Sequence, residues 1–154
     1  MVRLKGLRAP EHGTGGADAK GSGSPRRGPR RYRAIAASLL DLLLQSSAET
    51  HPNEFSGVLS SKGGELIDDL LLVPGTISGD RHAIVSFYNI ASGRPLIGSV
   101  HSHPSPYPFP SEADLQFFSR LGDVHLIVAH PYTRRSWRAW DVAGRELHLE
   151  VVER

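Results

Sequence analysis

Residues 96–121 read LIGSVHSHPSPYPFPSEADLQFFSRL. Leu96 to His101, with β-branched Ile97 and Val100, has the composition of a strand. Pro104, Pro106, Pro108 and Pro110 then interrupt any regular element, and Ser111 opens a helix through about Leu121 with Leu115, Phe118 and Leu121 facing inward. At the end of a strand, residues i and i+2 point to one face about 6.5–7 Å apart. His101 and His103 can therefore converge on one ion through metal–nitrogen bonds of about 2.0–2.1 Å. Asp114, in the first helical turn, supplies an oxygen that completes a set of two His and one carboxylate. Three protein ligands leave a fourth position open, which marks catalytic rather than structural zinc, and such an ion lowers the pKa of its bound water to about 7. Each piece also has an ordinary reading. Two His on a strand are common without a metal, and Ser111-x-x-Asp114 is a capping-box signature in which the Ser caps the helix and the Asp favours its positive end. Their joint occurrence at this spacing favours the metal.

Working outward, Ile35, Leu39, Leu42 and Leu43 fall at i, i+4, i+7 and i+8, with Leu40 and Leu44 widening the stripe, so Ala34 to about Ala48 is expected to be a helix packed on the core. His51, Pro52 and Asn53 end it or turn the chain. Phe55 to Ser60 reads as a strand, Lys62, Gly63 and Gly64 as a turn, and Glu65 to Val73 as its partner. Pro74, Gly75 and Gly79 mark a loop, and His82 to Tyr88 a further strand. After the central stretch, Val124 to Ala129, Ser136 to Val142 and Glu146 to Val152 supply three more strands, the last two joined at Ala143 and Gly144. Strands outnumber helices and hairpin-like turns dominate, so the fold class is α+β with a mostly antiparallel or mixed sheet.

The chain has 154 residues, room for one domain with a sizeable core, and no Cys, which excludes a disulfide framework, a thiolate nucleophile and any Cys-ligated metal. Hydrophobic residues make up 39% and charged residues 22%, with a mean hydropathy of −0.27, values of a soluble globular class. The most apolar run near the N-terminus, Ser38 to Leu44, contains Asp41 and is far short of the roughly 20 residues of a membrane span. Met1 to Pro10 lacks an apolar secretory core, so the expected compartment is cytoplasmic, with no membrane partner. The net charge of +2 conceals an asymmetry: residues 1–33 carry nine Lys or Arg against Glu11 and Asp18, whereas residues 34–154 carry nine basic against fourteen acidic residues. Residues 1–33 also hold seven of the sixteen glycines. They are expected to form a disordered basic tail, since they cannot bury enough surface to offset the entropy of ordering. Arg26, Arg27, Arg30, Arg31 and Arg33 could tether nucleic acid or another acidic surface, but a solvated leader is the more ordinary reading and little aromatic interleaving supports nucleic-acid binding. The expected domain is residues 34–154.

The succession His101-Ser102-His103, seven residues from Pro104 to Pro110, then Ser111-Glu112-Ala113-Asp114 resembles the motif of the JAMM (MPN+) metalloprotease family without insertion or deletion. That family's motif adds an upstream Glu at the start of the strand after the first helix, and Glu54-Phe55-Ser56-Gly57-Val58-Leu59 is similar to its setting. The resemblance runs over roughly residues 34–142. It implies an MPN/JAMM-like mixed sheet flanked by helices, with Zn2+ on His101, His103 and Asp114, Glu54 activating the water, and Ser111 helping to hold the oxyanion. Elementary chemistry suits those roles: a carboxylate beside the water can accept its proton and return it to the leaving amine, and a hydroxyl can donate to a developing oxyanion. His12, His51, His82, His125, His130 and His148 are read as structural or surface positions.

Members of that family cleave isopeptide or peptide bonds after the C-terminal Gly of ubiquitin or ubiquitin-like proteins, and prokaryotic relatives are linked to ubiquitin-like modifiers and sulfur-carrier proteins. The resemblance thus implies a deubiquitinase-like isopeptidase acting on a ubiquitin-like protein or its conjugates. Between Val73 and His101 there is little room for the insert that clamps the substrate tail in larger members, and no Cys/His zinc site follows Asp114. Both features point to a compact enzyme of prokaryotic type. The rival readings are a non-catalytic MPN-type interaction scaffold, which normally lacks part of the ligand set, and a zinc hydrolase of a small amide substrate.

Overall fold

A computed structural model describes residues 32–72 and 96–154. The expected strand at His82–Tyr88, the loop at Pro74, Gly75 and Gly79, and the tail up to Arg31 lie outside the described residues. In chain order the elements are β1 (Ala34–Ala36), α1 (Ala37–Thr50), β2 (Ser56–Ser60), β3 (Leu66–Ile67), β4 (Asp69–Leu71), β5 (Leu96–His103), α2 (Glu112–Phe118), β6 (Val124–Ala129), β7 (Trp137–Trp140), β8 (Glu146–Leu147) and β9 (Glu150–Val152). Strands pair in the order β4-β2-β5-β6-β7-β8 in one sheet and β3-β1-β9 in another. The large sheet is mixed, since β5 and β6 are parallel while β2–β4, β2–β5, β6–β7 and β7–β8 are antiparallel. This is the α+β, mixed-sheet architecture expected.

The helices cover opposite faces of the large sheet. Leu39, Leu40, Leu43 and Leu44 of α1 are buried with Leu59, Val100, Leu126 and Val128, and each such side chain contributes roughly 1.5–3 kcal/mol by leaving water. Phe117 and Phe118 of α2 pack on the other face with Val58, Ile127 and Trp140. Along β6 the alternation is therefore strict: Leu126 and Val128 face α1, and Ile127 faces α2.

Several boundaries differ from expectation. The first helix begins three residues late because Ala34, Ile35 and Ala36 form β1, a strand between parallel partners β3 and β9. Ile35 is still fully buried, but by a sheet rather than by a helix stripe. With the helix starting at Ala37, the inward stripe is Leu39, Leu40, Leu43 and Leu44, and Leu42 is 49% exposed. Glu65–Val73 is not one strand: Asp68 accepts from the Lys62 amide at 2.9 Å, and the chain breaks there into β3 of the small sheet and β4 of the large one. Glu146–Val152 divides in the same way into β8 and β9. The second helix stops at Phe118, although Leu121 remains buried beyond it. The ordered domain also reaches back past Ala34. Tyr32 is buried in the larger core cluster, and Arg33 receives the Glu150 amide on its carbonyl and pairs with Glu65.

The β5–α2–β6 unit places the important residues. The start of β6 lies so close to β5 that a Cβ at Gly98 would lie 1.7 Å from the carbonyl oxygen of its register partner Val124. Gly122, at φ +53°, passes just as tightly under Ile97, in a left-handed conformation that suits glycine. The unit thereby brings the C-terminal end of β5 and the N-terminal end of α2 together, the place where an α/β arrangement presents ligand groups.

Candidate metal centre

His101 and His103 occupy the last residues of β5, two apart and on the α2 side of the sheet. Their Nε2 atoms are 3.0 Å from each other. Asp114 completes the triangle, with Oδ1 3.3 Å from His101 Nε2 and Oδ2 3.3 Å from His103 Nε2. Asp114 and His101 are buried and His103 partly so. Among the described residues these three form the group of His and carboxylate side chains able to hold a metal ion. Metal bonds of about 2.0–2.1 Å in a tetrahedral shell imply ligand-to-ligand edges of about 3.3 Å, so the separations fit a zinc-sized ion. The donor chemistry agrees: two imidazole nitrogens and a carboxylate with no thiolate form a set used in catalytic zinc sites.

The orientation of each ligand has a local cause. His103 Nδ1 donates to the Tyr107 carbonyl at 2.9 Å, which fixes the tautomer and leaves Nε2 facing the carboxylate. Ser111 and Asp114 form a complete capping box at the start of α2. The Asp114 amide donates to Ser111 Oγ at 3.1 Å, and the Ser111 amide donates to Asp114 Oδ2 at 2.8 Å. The capping and ligand readings of Asp114 are thus both satisfied, since the cap is what holds the carboxylate toward the imidazoles. Burial alone would raise its pKa, but the two imidazoles and the Ser111 amide outweigh it and hold Asp114 far below the usual carboxylate range. For His103 burial opposes the charged ring. Asp114, the Tyr107 carbonyl and the Glu54 charge prevail, leaving its pKa raised.

Glu54 is partly buried, immediately before β2. The antiparallel register pairs Ser56 with His101, and the Ser102 amide donates to the Phe55 carbonyl at 2.9 Å. Continued by two residues, that register sets Glu54 opposite His103 on the same face. Ser111 is exposed at the α2 N-terminus, beside Asp114. All five expected site residues therefore gather at one end of β5.

Of the other histidines, His125 is fully buried, stacked on Phe118 at 4.1 Å, with Nδ1 2.8 Å from Ser99 Oγ. Burial drives its pKa down to about 3, with help from the nearby His101 charge. It is a neutral structural residue, as expected. His51 and His130 are exposed but form a cluster with Tyr132 that the sequence did not announce. Ser102 and the Tyr107 carbonyl also went unassigned. Ser102 lay within the motif without a role, and nothing in sequence marks a carbonyl.

Residues 36–140 match the family model of prokaryotic homologs of the JAB domain. Over 133 residues, 80% of this chain and 82% of the relative, the chain is 38% identical to a "Probable metalloprotease" of Haloferax volcanii. A solved JAB1/MPN domain protein from Archaeoglobus fulgidus is 37% identical, over 78% of this chain and 99% of that one, with a TM-score of 0.65. A second solved chain, described as "JAMM: A Metalloprotease-like Zinc Site in the Proteasome and Signalosome", is 36% identical, over 79% and 98% of the two chains, with a TM-score of 0.64. On the matched domain, the motif spacing and the convergence of its residues, the chain belongs to the prokaryotic JAB branch of the JAMM family.

Proposed function

We propose that this protein is a Zn2+-dependent metalloprotease of the JAMM type, an (iso)peptidase that hydrolyses the bond after the C-terminal Gly of a ubiquitin-like modifier or sulfur-carrier protein. The observation that carries this reading is the convergence of His101, His103 and Asp114, at separations of 3.0 and 3.3 Å. His101, His103 and Asp114 are the residues that would hold the ion. Bound zinc supplies Lewis acidity toward the scissile carbonyl and a water of lowered pKa.

The remaining work falls to side chains of this chain. Glu54 takes the proton of the attacking water and returns it to the leaving amine. Ser111 accepts the Asp114 amide on a lone pair, which leaves the hydroxyl proton to donate to the oxyanion. Asp114, fixed by its cap, holds the imidazoles in place. A Gly-Gly tail fits such a site as an added strand, because glycines let two backbones approach and main-chain hydrogen bonds provide affinity. Among the described residues β4 ends the large sheet on the β2 side, next to the strand that follows Glu54. Neither described helix is long and apolar enough to cross a membrane, which suits a modifier-processing enzyme of the cytoplasm.

The test combines metal analysis with cleavage. Purified protein is assayed for zinc and for hydrolysis of a ubiquitin-like protein joined through its C-terminal Gly to a second protein. Zinc near one equivalent and release of the free modifier are expected. A metal-loaded protein that hydrolyses small amides but no such conjugate would replace this reading with that of a small-amide hydrolase.

A further inference from the structure

We infer that Ser102 and Tyr132 are positioning residues for Glu54, forming a two-point clamp that holds the α1–β2 turn against the end of β5. The inference rests on the reading of Glu54 as the proton acceptor. Glu54 stands between two fixed points. On its C-terminal side, the Phe55 amide donates to Ser102 Oγ at 2.8 Å, while the Ser102 amide donates back to the Phe55 carbonyl at 2.9 Å. Ser102 is fully buried, so an Ala there would leave the Phe55 amide without this acceptor away from water. On the N-terminal side, His51 Nδ1 lies 2.8 Å from the Tyr132 hydroxyl, which donates to the His103 carbonyl over a longer 3.4 Å. With the phenol proton given to the His103 carbonyl, the His51 contact is assigned as Nδ1–H donating to the Tyr132 oxygen.

The two contacts reach adjacent residues of β5, Ser102 and His103, and His103 is itself a ligand residue of the site. The clamp therefore ties the position of Glu54 directly to the strand that carries the imidazoles. Tyr132 sits at φ +62°, in the left-handed region where a side chain other than glycine is unfavourable. Its amide is held by the Ala129 carbonyl at 2.8 Å, and the neighbouring His130 amide donates to the carbonyls of His103 and Ser105. A strained backbone that directs one hydroxyl between His51 and His103 is the kind of outlier from which a positioning role follows. Placement matters here because a general base misplaced by about 1 Å can cost about 100-fold in rate.

The experiment uses the full chain, loaded with zinc, and a ubiquitin-like protein whose C-terminal Gly carries a fluorogenic amine. Ser102→Ala is expected to keep zinc stoichiometry and KM, to lower kcat by about 10–100-fold, and to speed hydrogen exchange at the Phe55 amide. Ser102→Thr, which restores the hydroxyl, is expected to recover both kcat and exchange protection. In a Glu54→Gln background the same Ser102→Ala change should cost less than twofold, because there is no base left to misplace. Tyr132→Phe tests the second point independently, and guards against a Ser102→Ala chain that does not fold. It should lower kcat in the Glu54 protein and not in the Glu54→Gln protein. A wild-type kcat in Tyr132→Phe, or an undiminished loss for either variant in the Glu54→Gln background, would overturn the clamp. Wild-type turnover by Glu54→Gln alone would instead overturn the role of Glu54.

Discussion

Ser111 and Asp114 hold each other by two backbone-to-side-chain hydrogen bonds of 2.8 and 3.1 Å, and the carboxylate so fixed lies 3.3 Å from an imidazole nitrogen on either side. A helix cap and a metal-site ligand are here the same carboxylate. Asp114→Asn should consequently separate the two roles. The amide can still accept from Ser111 but brings no charge, so the melting temperature measured with chelator present should change little, while the zinc content of the purified protein falls. Calorimetry with chelator present and elemental analysis without it check this; a lower melting temperature with chelator alongside the lost zinc would mean that the fold, not the ligand charge, was damaged.

Ser111→Ala should cost about 0.5–2 kcal/mol of stability through the lost cap and a larger factor in turnover, about 10²–10³ if the hydroxyl donates to the oxyanion. Urea unfolding and kcat measured side by side resolve the pair. A rate loss no larger than expected from the lost stability would leave Ser111 a cap alone.

Wild-type protein should carry close to one zinc, and His103→Ala close to none. Inductively coupled plasma analysis after dialysis gives the count. Similar metal in both proteins would remove His103 from the ligand set.

Glu54→Gln should bind zinc normally and lose about 10²–10⁴ in kcat, the usual worth of a positioned general base. Steady-state kinetics with parallel metal analysis checks it.

His125 should make the fold acid-sensitive. Its folded pKa of about 3 lies below the ordinary 6.5, so between those values the unfolded chain binds the proton more readily. The stability associated with the neutral ring is whole above about pH 6.5 and is lost as pH falls toward 3. From pH 7.5 to 4.5 the wild type should lose about 2–3 kcal/mol more than His125→Gln, read from urea unfolding with chelator present so that metal release affects neither protein. Parallel losses would show that other groups control the acid limb.

Removing residues 1–31 should leave folding, zinc content and cleavage intact, because their composition offers little to pack. Extending the deletion through Arg33 should destabilise the domain, since Tyr32 is 8% exposed within the core cluster and deleting a large core side chain costs about 2–5 kcal/mol. Thermal melts of the two truncations decide where the domain begins.

The ligand set was legible because its three members lie within residues 101–114, where strand periodicity, a proline-rich loop and a cap signature fix the geometry locally. Glu54 is proposed as the base only on the family's pattern, since nothing near it in sequence distinguishes a base from a charged residue at a strand edge. Ile35 misled in a different way. A β-branched residue three positions before a leucine stripe extends a helical pattern by eye, yet its burial comes from β3 and β9, partners distant in sequence. The breaks at Asp68 and at His148–Leu149 were equally hidden, because strands of two or three residues leave no period to read. Tyr132 gave no sign at all, as its contact is with a backbone carbonyl remote in sequence.

The confinement of the three imidazole and carboxylate groups to one strand–loop–helix segment has a consequence for the order in which the site assembles. Bringing His101, His103 and Asp114 together closes a short loop, whereas seating Glu54 requires contact between Phe55 and Ser102, 47 positions apart in sequence. Closure entropy grows with the logarithm of loop length, so the longer closure costs about 1 kcal/mol more, and it depends on β2 having docked. A chain that has formed β5, α2 and β6 alone already owns its metal-binding groups and lacks the residue proposed as its base. On the proposed role of Glu54, nascent or partly unraveled forms of the protein would take up metal without being able to cut, so that proteolytic competence would arrive only with the last long-range pairing.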